Sequence, residues 1–483
     1  MNIKTLIVLI VLIALSVGGF FVWKNISVPD EEKVEEEVPL EGFEWFQTGN
    51  TQDITKLKPK QSNELEDNRI GIHAHCFWNP EGQGVFPDGL LDSSTILGLG
   101  VKWARLGIKS LDAPHPDLLI APDGDFEPEL SIDPTHDNFI TSLVNNGITI
   151  TYVLSFWDTE YVAQGGEVRY PRFKTEEEIQ RYLEFVQFIV NHFKDRIQYY
   201  EIWNEPNIEN TIQWIEVDDY IKLVKRAVPV IKEEYSEAKI VVGSTSELSD
   251  MGSQDYLFSI LRSDVMPLVD IVAWHPMYGV SPEYEPLRQY YYEYPVIVQE
   301  IKDIASAHGF TGKYVADEIH WCTLDLADPD HPWNAFTETK SAKYLTRGIL
   351  MHLGMDVTVS HIPLLRNPNP FKAVRNLSTI MPGAESTELP IEIQSEATNI
   401  VSYSFSLASG DKLITLWTDD IAVDEDPGVN AKLTISNFSA QEVTGIDVLN
   451  GYQQSIITNN ENGTLVIQNL IVRDYPLILH IKK

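Results

Sequence analysis

The sequence predicts an α/β protein: a (β/α)8 TIM barrel followed by a C-terminal antiparallel β-sandwich, with a membrane-spanning helix at the N-terminus. Three observations carry this. Eight short, apolar, β-rich runs alternate with helical segments over about three hundred residues, near the usual size of such a barrel. From about Leu389 the helical pattern stops and short alternating strands take over. Finally, Thr5 to Trp23, TLIVLIVLIALSVGGFFVW, is nearly all apolar and is bracketed by Lys4 and Lys24. That length crosses a bilayer as a helix.

Residues 1–27 therefore read as a signal anchor. The apolar run is longer than in a cleavable signal peptide, and no small-residue cleavage motif follows it. Lysine precedes the run and the acidic stretch DEEKVEEE (Asp30 to Glu37) follows it. This polarity keeps the short N-terminus inside and sends the rest outside. Cleavage would instead give a secreted chain. Residues 28–68 read as an acidic, proline-bearing tether, with an aromatic patch, GFEWF (Gly42 to Phe46), suited to docking on the main body.

Residues 69–385 carry the barrel pattern. The predicted strands are Ile70 to Cys76, Val101 to Gly107, Ile148 to Leu154, Ile197 to Trp203, Lys239 to Ser244, Asp270 to His275, Lys313 to Glu318 and Asp356 to Ile362. They are apolar on both faces, as buried parallel strands are. Between them, Thr175 with Glu178 three residues on signals a helix start as a capping box. Ile179, Leu183, Val186, Ile189 and Phe193 then recur at helical spacing. Another helix, through Phe139, Ile140, Leu143 and Val144, stops at Gly147. An open doubly wound sheet would also alternate. The turn after the first strand, GIHAHCFWNPEG, lacks its phosphate-binding glycine pattern. Residues 386–483 read as a β-sandwich.

The formal charge of −35 argues against a nucleic-acid partner, whose phosphates would be repelled. Such acidity serves solubility and says nothing about fold. The two cysteines, Cys76 and Cys322, make neither a disulfide framework nor a zinc cluster. They are two thiols, or one bridge across the barrel rim. Oligomeric state is not legible.

Active sites of such barrels lie at the C-terminal ends of the strands. There the sequence puts His73, His75 and Trp78 on strand one, Arg105 on strand two and Trp157 after strand three. Asn204 and Glu205 follow strand four, His275 and Tyr278 follow strand six, and Glu318 and Trp321 end strand seven. Asp317 would point the other way along its strand. Two glutamates thus cap strands four and seven. Paired carboxyls flanking a bond are what glycoside hydrolysis needs: one protonates the leaving oxygen, the other attacks the anomeric carbon or activates water. A nearby cation would hold one of the pair ionised, and an apolar setting would keep the proton on the other. Tryptophans near the strand ends could stack on sugar faces.

WNEP (Trp203 to Pro206) after strand four, with the glutamate of YVADEIHW at the end of strand seven, resembles clan A retaining glycoside hydrolases. WHPMYG (Trp274 to Gly279), IWNEPN and the C-terminal β-sandwich look closest to family 39 and its relatives. The resemblance implies a retaining O-glycosyl hydrolase acting on a poly- or oligosaccharide, with Glu205 as acid/base and Glu318 as nucleophile. Asn204 would hold the 2-hydroxyl, Arg105 would help keep the nucleophile ionised, and His275 and Tyr278 would sit near it. No metal or organic cofactor is implied. A catalytically silent carbohydrate-binding surface protein and a transglycosylase using the same residues are the alternatives.

Overall fold

The computed structural model describes residues 46–74, 93–107, 119–120, 129–130, 132, 134–155, 171–211, 213–325, 333–362, 367–461 and 463–483. The expected anchor, Thr5 to Trp23, lies outside them. Among the described residues, no helix is long and apolar enough to cross a membrane.

The eight predicted strands form in order. They are β1 (Ile70–His73), β2 (Trp103–Gly107), β3 (Thr149–Leu154), β4 (Tyr199–Ile202), β5 (Lys239–Thr245), β6 (Ile271–Trp274), β7 (Lys313–His320) and β8 (Thr358–His361). Each pairs in parallel with the next, β8 returns to β1, and β6 pairs with β7, so the sheet closes. β1, β6 and β8 are buried along their whole length. Their apolar continuity follows from having side chains on one face and helices on the other.

A helix follows each strand: α1 (Ser93–Gly98), α2 (Pro134–Asn145), α3 (Glu176–Phe193), α4 (Val217–Glu234), α5 (Met251–Leu261), α6 (Glu285–Ala307), α7 (Glu338–Gly354) and α8 (Pro368–Ile380). α3 buries Ile179, Leu183, Val186, Ile189 and Phe193, the predicted stripe. Its N-cap, Thr175, accepts from the Glu178 amide at 3.2 Å. The Glu178 carboxylate reaches the Lys174 amide at 3.2 Å and Arg172 Nε at 3.1 Å, so the return half of the capping box is displaced by one residue. α2 ends just before Gly147, whose φ of +77° is a left-handed conformation that glycine adopts without steric cost.

After the barrel come two antiparallel sheets, of seven and four strands. Ile414, Leu416 and Leu479 of the larger sheet share one apolar core with Leu433, Ile435 and Ile467 of the smaller. The chain just before the barrel joins them. Strand Ile54–Lys56 pairs with Tyr452–Ser455, and Phe46 is buried in the same core. Barrel and sandwich belong to one compact unit. Lys343 of α7 meets Asp474 at 2.6 Å, both nearly excluded from solvent. Arg347 donates to the Asp474 and Asp420 carbonyls at 2.8 and 2.7 Å.

Candidate active site

The ends of β4 and β7 depart from regular geometry, and both departures aim carboxyl groups. β4 stops at Ile202, and Trp203 and Glu205 then take positive φ, +69° and +44°. Side chains with a Cβ adopt this region only when their surroundings enforce it. The surroundings are on hand. Trp203 is fully buried against Phe173 and Tyr182 and donates its indole N–H to the Gln213 carbonyl at 2.8 Å. The Glu205 amide donates to the Ser244 carbonyl at 2.9 Å.

On β7 the register against β8 shifts between Ala316 and Ile319. The irregularity breaks the alternation that would have turned Asp317 away. Both acids face the same guanidinium: Asp317 Oδ2 lies 3.1 Å from Arg105 Nε, and Glu318 Oε2 lies 3.2 Å from Nη1. The expectation that Asp317 points elsewhere is thus corrected.

Arg105 is the hub. Its fork binds Glu201 in bidentate fashion, at 2.9 Å from Nε and 2.5 Å from Nη2. Nη2 also donates to Asn204 Oδ1 at 2.6 Å, and Nη1 faces His73 Nδ1 at 2.8 Å. Arginine only donates, so His73 Nδ1 accepts and its proton sits on Nε2, which is 3.5 Å from Glu318 Oε2. The principal partner of Arg105 is therefore Glu201, with Glu318 an additional one. Burial opposes the guanidinium charge, and Glu201, Asp317 and Glu318 together hold Arg105 well above its ordinary value.

His275 stands between the two catalytic candidates. Its Nδ1 lies 3.0 Å from Glu205 Oε1 and 3.7 Å from Glu318 Oε2. Tyr278 Oη is 3.2 Å from Glu205 Oε1 and 2.9 Å from His275 Nδ1. Gln213 completes the shell, donating to Glu205 Oε2 at 3.0 Å and accepting from Asn204 Nδ2 at 2.6 Å. Burial lowers the His275 pKa, but Glu318, Asp317 and Glu205 overcome that and bring it to about 9.

Burial raises Glu205, yet the bonds from His275, Gln213 and Tyr278 pull it below its ordinary range. Glu318 goes the other way. Burial lifts it, His275 and Arg105 pull it down, the Glu205 charge adds to the lift, and the net direction is upward. This reverses the expectation that an apolar setting keeps the proton on Glu205: the donors around that carboxylate outweigh the burial. The two carboxyls are coupled, because a proton on Glu205 removes a negative charge that lifts Glu318.

Of the predicted residues, Glu205, Glu318, Asn204, Arg105, His275, Tyr278 and His73 come together. His75, Trp78 and Trp157 lie outside the described residues, as does Cys76. Trp321 does not join the site. It is 1% exposed, donates to the Val280 carbonyl at 2.8 Å and packs against Gly348, so no ring face is left for a sugar. Sequence reasoning missed Gln213, Ser244 and Glu201. Only Glu201 left a signal: a carboxylate inside the apolar strand YYEIW, where a buried arginine needed a partner. Among the described residues no group of His, Cys, Asp and Glu could hold a metal ion. A cavity of about 760 Å³, lined by Asn207, Trp214, Ser246, Glu247 and Tyr256 among others, has none of these site side chains in its wall.

No family model matches the chain, and no curated protein does. Solved structures do. A family 39 glycoside hydrolase from Bacteroides cellulosilyticus superposes over 88% of this chain and 83% of its own, with TM-score 0.60 and 14% identity. The catalytic domain of a GH30 xylanase C from Talaromyces cellulolyticus matches over 89% and 99%, with TM-score 0.53 and 12% identity. A GH51 arabinofuranosidase from Xanthomonas axonopodis pv. citri matches over 89% and 98%, with TM-score 0.53 and 11% identity. The likeness to clan A enzymes read from the Asn-Glu-Pro motif thus recurs in the backbone, and at these identities what the chain shares with them is the fold.

Proposed function

We propose that the chain is a retaining glycoside hydrolase in which Glu205 is the acid/base and Glu318 the nucleophile. One observation carries the reading: carboxyls from the ends of β4 and β7 meet at a single imidazole nitrogen, His275 Nδ1, at 3.0 and 3.7 Å. The facing oxygens are no farther apart than those two legs laid end to end. That span only touches the lower edge of the roughly 6.5–9.5 Å separation of inverting enzymes, and retaining pairs stand about 5–5.5 Å apart. The fold of solved glycoside hydrolases of families 39, 30 and 51 supports the same reading.

In the first step a Glu318 oxygen attacks the anomeric carbon, the bond to the leaving oxygen breaks, and Glu205 gives that oxygen its proton. Water then attacks the glycosyl-enzyme, Glu205 takes the water's proton, and Glu318 departs as carboxylate. The proton for the first step is within reach, on the hydrogen bond between His275 Nδ1 and Glu205. The apolar run Thr5 to Trp23 supports a further reading, that the barrel is membrane-anchored and extracytoplasmic.

A panel of activated aryl glycosides tests the chemistry. Glu318→Ala is expected to lose activity by about 10⁴-fold or more, the scale of removing a covalent nucleophile. Added azide should restore turnover as a glycosyl azide. If the wild-type chain cleaves nothing on a broad panel, the enzyme reading fails.

A further inference from the structure

Among the described residues at the mouth of the barrel, Asp317 is an acid that the mechanism above does not use. Asp317 is buried, with its side chain 4% exposed, in a cluster already crowded with Glu201, Glu205 and Glu318. Three of these carboxyls, Glu201, Asp317 and Glu318, face Arg105, the one permanent cation among the described residues there, since His73 accepts from that arginine and so carries no charge. A fourth buried acid raises the electrostatic cost of the cluster unless it stabilises a second positive charge.

The geometry shows which charge that is. Asp317 Oδ2 is anchored by Ser244 Oγ at 3.0 Å and Arg105 Nε at 3.1 Å. Its other oxygen, Oδ1, has no hydrogen-bond partner and faces His275 Nε2 at 3.4 Å. The opposite ring nitrogen, Nδ1, points at Glu205 Oε1 at 3.0 Å. The imidazole is thus held between Asp317 on one side and Glu205 on the other. With both nitrogens facing carboxylates, the doubly protonated ring is the form that satisfies both.

We propose that Asp317 is a positioning residue that keeps His275 doubly protonated, making the imidazolium the store from which Glu205 draws the proton it gives to the leaving group. In the delivery step the Nδ1 proton moves to Glu205 Oε1, leaving a neutral imidazole whose Nε2 proton stays against Asp317. Glu205 passes its proton to the glycosidic oxygen, and its return as base in the second step reloads the ring. The groups facing Asp317 are Arg105, Ser244, Glu201 and His275, and those facing His275 are Asp317, Glu205, Glu318 and Tyr278. Burial pushes Asp317 up to about 7, with Arg105 and His275 opposing, so its support for the ring is complete only above neutral pH.

The inference rests on the reading of Glu205 as acid/base, and one variant tests the two separately. Asp317→Asn keeps an acceptor for Ser244 and Arg105 but offers His275 no negative charge. Nitrogen-15 NMR of the histidine rings, with His275 assigned by its loss in His275→Gln, reads the ring directly and needs no activity. The His275 titration is expected to move to lower pH by about one unit or more in Asp317→Asn. Ser244→Ala, which weakens the anchor without removing the acid, should move it the same way by less. That keeps the test available if the first variant does not fold. In turnover, Asp317→Asn should slow a phenyl glycoside by roughly tenfold or more, out of the roughly 10²–10⁴-fold that a general acid contributes. It should leave a dinitrophenyl glycoside, whose leaving group needs no proton, nearly as fast, with KM unchanged. An unmoved His275 titration overturns the proposal, as does an equal loss on both leaving groups. A moved titration in a chain that cleaves no glycoside upholds the Asp317–His275 link and overturns only the catalytic reading.

Discussion

At the residue scale, the cluster makes a statement about stability. Unfolded, Asp317 titrates near about 3.9 and His275 near about 6.5. Folded, burial pushes Asp317 up to about 7, and the surrounding carboxylates bring His275 to about 9. In both cases the fold favours the protonated form. The stabilisation from Asp317 is therefore complete below its unfolded value and is lost as pH rises through 7. That from His275 is complete below its own unfolded value and is lost as pH rises through 9. The two groups are expected to lower the melting temperature as pH rises from about 4 to about 9, and Asp317→Asn should remove the acid-to-neutral part of the fall. Thermal denaturation at a series of pH values checks this; equal slopes in wild type and variant would reject it. The glutamates were legible in the sequence because each sits where a strand pattern ends. Gln213 was not, because nothing local distinguishes a loop glutamine that happens to bridge Asn204 and Glu205.

At the scale of elements, irregularity at strand ends does the positioning. β5 shifts register against β6 between Gly243 and Thr245, and this turns Ser244 inward at φ +41°. Gly243 has φ +104°, and a Cβ there would stand 2.3 Å from the Ala273 carbonyl oxygen. Ser244 in turn holds the Glu205 amide and the Asp317 carboxylate. Gly243→Ala is expected to destabilise by about 1–3 kcal/mol, the cost of a strained backbone conformation. It should also lower kcat without touching substrate. Urea unfolding with parallel kinetics measures both, and a variant as stable as wild type would show that the bulge relaxes freely. Strand existence was plain from apolar runs bounded by turn residues. The bulges were not, since a two-residue alternation read from hydropathy has no place for a register shift. Asp317 was misdirected for that reason.

At the scale of the molecule, the sandwich is fastened to the outer layer of the barrel by a buried charge pair. Lys343 and Asp474 are 2% and 5% exposed and 2.6 Å apart. Removing one member leaves the other buried without its counter-ion, which costs about 3–5 kcal/mol. Asp474→Ala should lower stability by that order. Lys343→Met with Asp474→Leu should recover much of it, because an apolar pair carries no desolvation cost. Calorimetry of the single and double variants distinguishes this from a surface pair, for which both changes would be near neutral.

By itself the sequence determined the eightfold alternation, the change to β-structure after the barrel, and the two glutamates at strand ends. These depend on local periodicity and short motifs, which survive in one dimension. Only the tertiary structure decided that Glu201 is the chief partner of Arg105, that Trp321 is wall rather than platform, and that Asp317 backs His275. Those outcomes depend on side chains from strands far apart in the chain meeting at one barrel mouth. There burial and neighbouring charge, which no local pattern encodes, fix where each proton rests.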